Sequence, residues 1–359
     1  MSAEAARQRR LLERLEGDGL DGLLVSDLTN VRYLTGYVGS NAIALISDRT
    51  SSLITDSRYA VSAREQAQGV DVAIGRRELL GELAGVMEKL SDGARIGVEA
   101  DDLTLSRHER ISTALERFAI VPTTGVVEDL RVVKDDAELD ALRTSAAITD
   151  EALRVVAAGE FVGRVEREVA WEIEHALREA GAERASFDAI VAAGPRGARP
   201  HAVPSDELIP DDTLLVVDMG AVWQGYCSDM TRTFVLGSPP PDLVEAYRVC
   251  HRAQQAALAQ ARPGIEASAL DAVARDEIDR GGMGEAFGHG VGHGVGLDVH
   301  ERPGVRSEGR ETIRAGMAIT IEPGIYLEGV GGVRIEDLVL VTDGAPEVIS
   351  KFPIADPPA

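Results

Sequence analysis

Residues 213–237, TLLVVDMGAVWQGYCSDMTRTFVLG, decide how this chain is organised. Residues 213–217 and 230–236 are apolar, β-branched runs, and two such runs close together read as a β-hairpin. With the turn centred between Trp223 and Gln224, Asp218 and Asp229 stand directly cross-strand, their Cβ atoms roughly 5 Å apart on one face. Like charges so placed repel each other unless something cationic sits between them. The alternative is that one aspartate is a turn residue and the two never meet. The hairpin alone leaves both open.

Working outward, 359 residues suit two domains, and a composition of 44% hydrophobic and 27% charged residues is that of a soluble globular protein. Sixty acids against 37 bases give a net charge of −23, which argues against nucleic acid or an anionic membrane as partner. Cys227 and Cys250 are the only cysteines, too few for a disulfide framework, as expected of a reducing cytosol. Residues 1–20 carry no apolar signal segment; they read as an amphipathic helix with Leu11, Leu12 and Leu15 on one face. No apolar run approaches the roughly 18 residues of a membrane span. The expected location is the cytoplasm.

Residues 1–125 alternate short strands (22–26, 42–47, 52–55, 70–74, 96–99) with helical stretches (58–68, 78–90, 105–115). The expectation is a small α/β domain on a mixed or parallel sheet. It has no GxGxxG or Walker loop, hence no nucleotide site. Asn30, Arg32, Tyr33, Tyr37, Asp56, Arg58 and Tyr59 lie beside strand ends, as turn and rim residues or as a cleft lining. Residues 126–134 read as a linker. A second domain, 135–359, opens on a long helix to Gly159, with Asp135 and Glu138 spaced as a capping box. A helix over 164–180 follows, and helices over 241–262 and 267–280 repeat the plan. Ala141/Ala246, Arg143/Arg248 and Gly159/Gly264 share one offset of 105. That offset carries Asp218 next to Glu322 and Asp229 close to Glu336, so each half would bring one carboxylate pair to a shared centre.

Glu322 ends AITIE before Pro323-Gly324, and Glu336 lies in VRIEDLVLV, on one face with Arg334 by period-2 alternation. Acids inside apolar runs need partners or a metal. In residues 287–300, FGHGVGHGVGLDVH, glycine at every second position forbids a helix. An extended chain there sets His289 and His293 on one face and bare backbone on the other; a flexible histidine loop is the plainer alternative. His300 follows, and His201 lies in an irregular Gly/Pro-rich loop, GPRGARPHAVPSD. Four carboxylates, several imidazoles and no thiolate ligand suit Mn, Co, Zn or Fe, and four carboxylates balance two divalent ions. Two ions that activate water and polarise a carbonyl do hydrolysis.

VVDMGAVWQGYCSDMTRTF, GHGVGHGVGLDVHE, TIEPGIY and GGVRIED together resemble the pita-bread metallopeptidases, the group of aminopeptidase P, prolidase and methionine aminopeptidase. The resemblance covers nearly the whole chain. It implies an α/β, two-domain protein whose catalytic domain has internal two-fold pseudosymmetry. TNVRYLTGY and TDSRY resemble the N-terminal domain of the proline peptidases, which methionine aminopeptidases generally lack. The reaction implied is hydrolysis of the bond before proline. The ligand order implied is Asp218, Asp229, His293, Glu322, Glu336, holding two divalent ions, manganese ahead of cobalt or zinc, with a bridging hydroxide as nucleophile. Glu322 takes its proton and passes it to the leaving nitrogen. His300 and His201 stabilise the tetrahedral intermediate and grip the substrate, and His289 lines the pocket. Arg334 and Tyr326 support Asp218 from behind. Such proteins are often homodimers.

One departure bears on substrate length. Some prolidases have an arginine four residues after the His300 position, to hold a dipeptide carboxylate; here Gly304 stands there, with Arg302 and Arg306 nearby. The expectation is therefore an aminopeptidase P-like enzyme acting on peptides with proline second, with an Xaa-Pro dipeptidase as alternative. A metal-free creatinase-like hydrolase and a silent binding protein on the same fold are the other readings; neither needs the full ligand set.

Overall fold

A computed structural model describes residues 2–356, and the chain divides into two compact units, Met1–Arg131 and Val132–Ala359. The first unit is built on one six-stranded sheet in the order Asp71–Gly75, Ser52–Asp56, Ala42–Ser47, Gly22–Val25, Arg95–Glu99, Ala119–Thr123. It is mixed. Gly22–Val25 and Ser52–Asp56 run antiparallel to Ala42–Ser47, while the outer strands pair parallel. Leu24, Ile43, Leu45, Ile54, Ile96 and Val98 pack from it against Leu83 and Ile111 of the flanking helices.

Two elements of this unit go beyond the sequence expectation. Leu28–Thr35 is a helix despite its β-branched and aromatic content. Asp27 accepts the Asn30 N–H at one end, and Gly36 closes the other at φ 74°. Ala119–Thr123 is an edge strand that tolerates Pro122 because one side needs no ladder bond. The expected helices over 58–68 and 78–90 shrink to Ala60–Gln66 and Leu80–Val86. The expected linker contains a short helix, Glu128–Arg131.

The second unit holds two similar halves. In the first, helices Asp136–Ala157 and Glu166–Glu179 pack on the strands Ile190–Ala193, Thr213–Met219 and Met230–Leu236. The Asp135–Glu138 capping box is formed. In the second half, helices Pro241–Gln260 and Ala267–Arg280 cover a five-stranded sheet centred on Ala318–Ile321 and Asp337–Leu340. Each half has its own apolar cluster, one running from Ile148 to Met230 and the other through Leu243, Leu270, Ile319 and Val339. No helix among the described residues is long and apolar enough to cross a membrane.

The hairpin register corrects the direct pairing of Asp218 with Asp229. Met219 pairs with Met230 and Asp218 with Thr231, and the tip pairs Trp223 with Tyr226. The turn is therefore centred between Gln224 and Gly225, one residue later than expected. Both central residues have positive φ, 49° and 82°, the signature of a two-residue type I′ turn. Asp218 and Asp229 become diagonal neighbours on one face, roughly 7 Å apart rather than 5 Å. The directly opposed pair lies in the other half. Ile321 pairs with Asp337 and Gly324 with Arg334, and that constant register sets Glu322 opposite Glu336.

Candidate metal centre

Each half presents its acids where a long two-stranded ladder breaks. Asp218 lies one residue before the end of Thr213–Met219, and Asp229 immediately precedes Met230–Leu236. Glu322 follows Ala318–Ile321, and Glu336 sits between Gly331–Arg334 and Asp337–Leu340. His293 is the middle residue of the strand Gly292–Gly294. The glycines around it are a packing requirement. A Cβ on Gly292 would lie 2.0 Å from the Thr320 carbonyl oxygen, and one on Gly294 2.2 Å from that of Arg302. The strand thus fits between its neighbours only with a bare backbone, which decides against the flexible-loop alternative.

The five side chains converge. His293 Nε2 lies 3.2 Å from Glu322 Oε1 and 3.6 Å from Asp229 Oδ2. One ligating atom each from Asp229, His293 and Glu336 falls within 4.8 Å of the others. His293 Nδ1 faces the Gly294 carbonyl at 3.0 Å; a carbonyl only accepts, so Nδ1 carries the hydrogen and Nε2 is the atom turned to the carboxylates. Thr231 and Thr320 hold two of the acids. Thr231 Oγ1 donates to Glu336 Oε2 at 2.7 Å, and Thr320 Oγ1 to Glu322 Oε1 at 3.0 Å. These hydroxyls escaped the sequence reading because threonine is common in strands; their signal is a place two residues from an acid.

Arg334 ties the centre to its surroundings. It donates to Asp218 Oδ2 at 2.7 Å, to Thr231 Oγ1, to the Pro200 carbonyl and to the Tyr326 hydroxyl. Arg334 and Glu336 meet on Thr231, as their shared face implied. Tyr326 in turn lies 2.9 Å from His289 Nε2. The His300 ring packs against that of His293 at a tilt of 57°, ring centroids 4.4 Å apart. His201 is exposed on its loop, and burial lowers the pKa of both His289 and His300. That loop is pinned by a residue the sequence did not single out. Buried Glu166 accepts N–H groups from Ala193 and Ser205, the Ser205 hydroxyl and Arg196 Nε.

The electrostatics are those of a site with too many negative groups. Burial raises the Asp218 pKa. Burial first, then the neighbouring carboxylates, pushes Asp229 and Glu336 well above the usual carboxylate range. Burial also opposes ionisation of Glu322, but the His293 hydrogen bond and charge outweigh it and bring that group down to about 2. Asp218 Oδ1 and Glu336 Oε1 are buried with no hydrogen-bond partner among the described residues. A buried carboxylate oxygen without a donor is costly. A cation is the partner this oxygen-and-imidazole set fits.

Two family models cover the chain: the creatinase/prolidase N-terminal domain over residues 7–133 and metallopeptidase family M24 over 140–343. A solved Xaa-Pro dipeptidase from Bacillus anthracis is 38% identical, with a TM-score of 0.95 over 98% of this chain and 99% of that one. A solved X-Pro aminopeptidase from Thermotoga maritima is 34% identical, with a TM-score of 0.89 over 96% of this chain and 98% of that one. An Xaa-Pro dipeptidase of Pyrococcus horikoshii is 33% identical, covering 96% of each chain. The two-domain α/β architecture is that of the prolidase pita-bread fold, and the chain belongs to metallopeptidase family M24.

Proposed function

We propose that this protein is an Xaa-Pro dipeptidase that works with two divalent ions, manganese first, held by Asp218, Asp229, His293, Glu322 and Glu336. The observation that carries the reading is the pair of buried oxygens with no hydrogen-bond partner among the described residues, Asp218 Oδ1 and Glu336 Oε1, in a centre of four carboxylates and one imidazole. Dipeptide substrates take precedence over the aminopeptidase P-like preference expected from Gly304, because two of the three relatives described are named dipeptidases. When bound, the ions polarise the scissile carbonyl and acidify water.

The chain's own groups do the rest. The bond before proline is a tertiary amide, so its nitrogen must gain a proton before it can leave. Glu322, oriented by Thr320, takes a proton from the attacking water and delivers it to that nitrogen. His300, its pKa lowered by burial, is a neutral donor near pH 7 for the carbonyl oxygen as it turns tetrahedral. His201 shares that role from its pinned loop, and His289, held by Tyr326, lines the pocket. Cytoplasmic, homodimeric operation belongs to the same proposal.

Assay of Ala-Pro beside Ala-Pro-Ala and Met-Ala-Ser with added Mn tests the substrate. Cleavage of Ala-Pro ahead of the tripeptides is expected; preference for Ala-Pro-Ala would make it an aminopeptidase, and no Xaa-Pro cleavage would reject the reading. Elemental analysis should find two metals per chain. Glu322→Gln should lose roughly 100- to 10,000-fold in kcat while staying folded, and full residual activity would sink the proton-transfer role.

A further inference from the structure

Lys134, in the segment that enters the Asp136–Ala157 helix, is buried and paired with Glu301, the residue after His300. Its side chain is 1% exposed and that of Glu301 6%. Lys134 Nζ donates to Glu301 Oε2 at 3.1 Å and to the Val132 carbonyl at 3.4 Å. Exchanging a buried pair of this kind for apolar side chains of similar volume is often neutral or stabilising, so stability alone gives it no purpose.

Its geometry gives it one. The second oxygen of Glu301 accepts the Asp298 N–H at 3.1 Å, so this carboxylate spans from Lys134 to the turn over residues 296–300. The other side of that turn is held by Cys227. Its N–H donates to the Gly296 carbonyl at 2.7 Å and its thiol to the Leu297 carbonyl at 3.6 Å. Between the two anchors the turn closes on itself, Gly296 N–H to the Asp298 carbonyl. The lysine end is fixed as well. Lys134 N–H donates to the Gly316 carbonyl at 2.8 Å, and a Cβ on Gly316, whose φ is +84°, would lie 2.9 Å from Val133. His300 is the last residue of this turn, directly before Glu301.

We propose that the Lys134–Glu301 pair is a positioning device for His300, holding the imidazole where it meets the carbonyl oxygen of the substrate. Lys134 and Glu301 are positioning residues, and the inference rests on the role given to His300 above. The test is the double variant Lys134→Met/Glu301→Leu, which removes both charges and leaves none buried alone. Its melting temperature and metal content should match wild type. Its kcat on Ala-Pro should fall roughly 10- to 100-fold, the scale of an ångström of misplacement, with KM within about twofold. In a His300→Ala background the same two changes should cost nothing further. The His300 C2–H resonance of the metal-free protein, assigned by its loss in His300→Ala, should broaden or split in the double variant.

Glu301→Asp is the milder version. It keeps the charge but is one methylene too short to reach both Lys134 and the Asp298 N–H, and it should lose kcat while staying folded at the assay temperature. Wild-type kcat in a folded double variant or in Glu301→Asp, or an equal loss in the His300→Ala background, would overturn the proposal. If wild type itself cleaves no Xaa-Pro peptide, the functional reading fails, while the His300 resonance still reports whether the pair orders the ring.

Discussion

At Asp229 the demands of stability and of metal binding oppose each other. Its carboxylate is buried beside Glu336, Asp218 and Glu322, and burial followed by their charges pushes its pKa well up. Ionised and without a cation, it destabilises the fold. Asp229→Asn keeps the shape and removes one charge. The metal-free variant should therefore be more stable than metal-free wild type, by roughly 1–2 kcal/mol in urea unfolding at pH 7. Its metal binding should collapse, so saturating Mn should reverse the order. A metal-free variant less stable than wild type would show that Asp229 is satisfied by hydrogen bonds alone. Acids within apolar runs were legible in the sequence because such runs have no other use for charge. Their register was not, since Gln224, a non-glycine residue, adopts positive φ and moves the turn by one residue. Thr231 and Thr320 were illegible for a different reason: a strand threonine gains a role only from what lies across the ladder.

At the scale of elements, the strand Gly292–Gly294 shows how tightly the histidine is built in. Thr320 approaches Gly292 through its carbonyl and also accepts the His293 N–H on its hydroxyl at 3.0 Å. Gly292→Ala places a methyl 2.0 Å from that carbonyl, where backbone rather than a flexible side chain must yield. The cost should be about 1–3 kcal/mol of stability, the range of an overpacked core. Because His293 is the next residue, metal affinity should fall with it, which isothermal titration would read beside thermal unfolding. An unchanged affinity would mean that the imidazole is placed by something other than this strand. The alternation of glycine and histidine announced this element in the sequence. The helix Leu28–Thr35 had no comparable signal, its β-branched and aromatic residues being outweighed by the Asp27 cap and the Gly36 stop.

At the scale of the whole molecule, the internal repeat was legible through helix lengths and closing glycines, because a helix pair and a hairpin recur in each half. A group far along the chain from the proposed metal centre sets a separate pH dependence. Glu99, in the Met1–Arg131 unit, accepts N–H groups from Ser26 and Asp27 and the Asn30 amide. Burial outweighs these bonds, and its pKa is pushed up to about 7. Between the ordinary carboxyl value of 4.5 and that figure, the folded chain holds a proton that the unfolded chain has released. The stability this group contributes is therefore present below pH about 4.5 and is lost as pH rises through about 7. Over that window the loss is roughly 3 kcal/mol. Glu99→Gln cannot ionise and should lack this part of the pH dependence. Amide exchange in the strand Arg95–Glu99, corrected for intrinsic rates, should show wild type losing protection relative to the variant from pH 5 to pH 8. Parallel profiles for the two proteins would mean that Glu99 is ionised throughout, its charge carried by the N–H groups of Ser26 and Asp27.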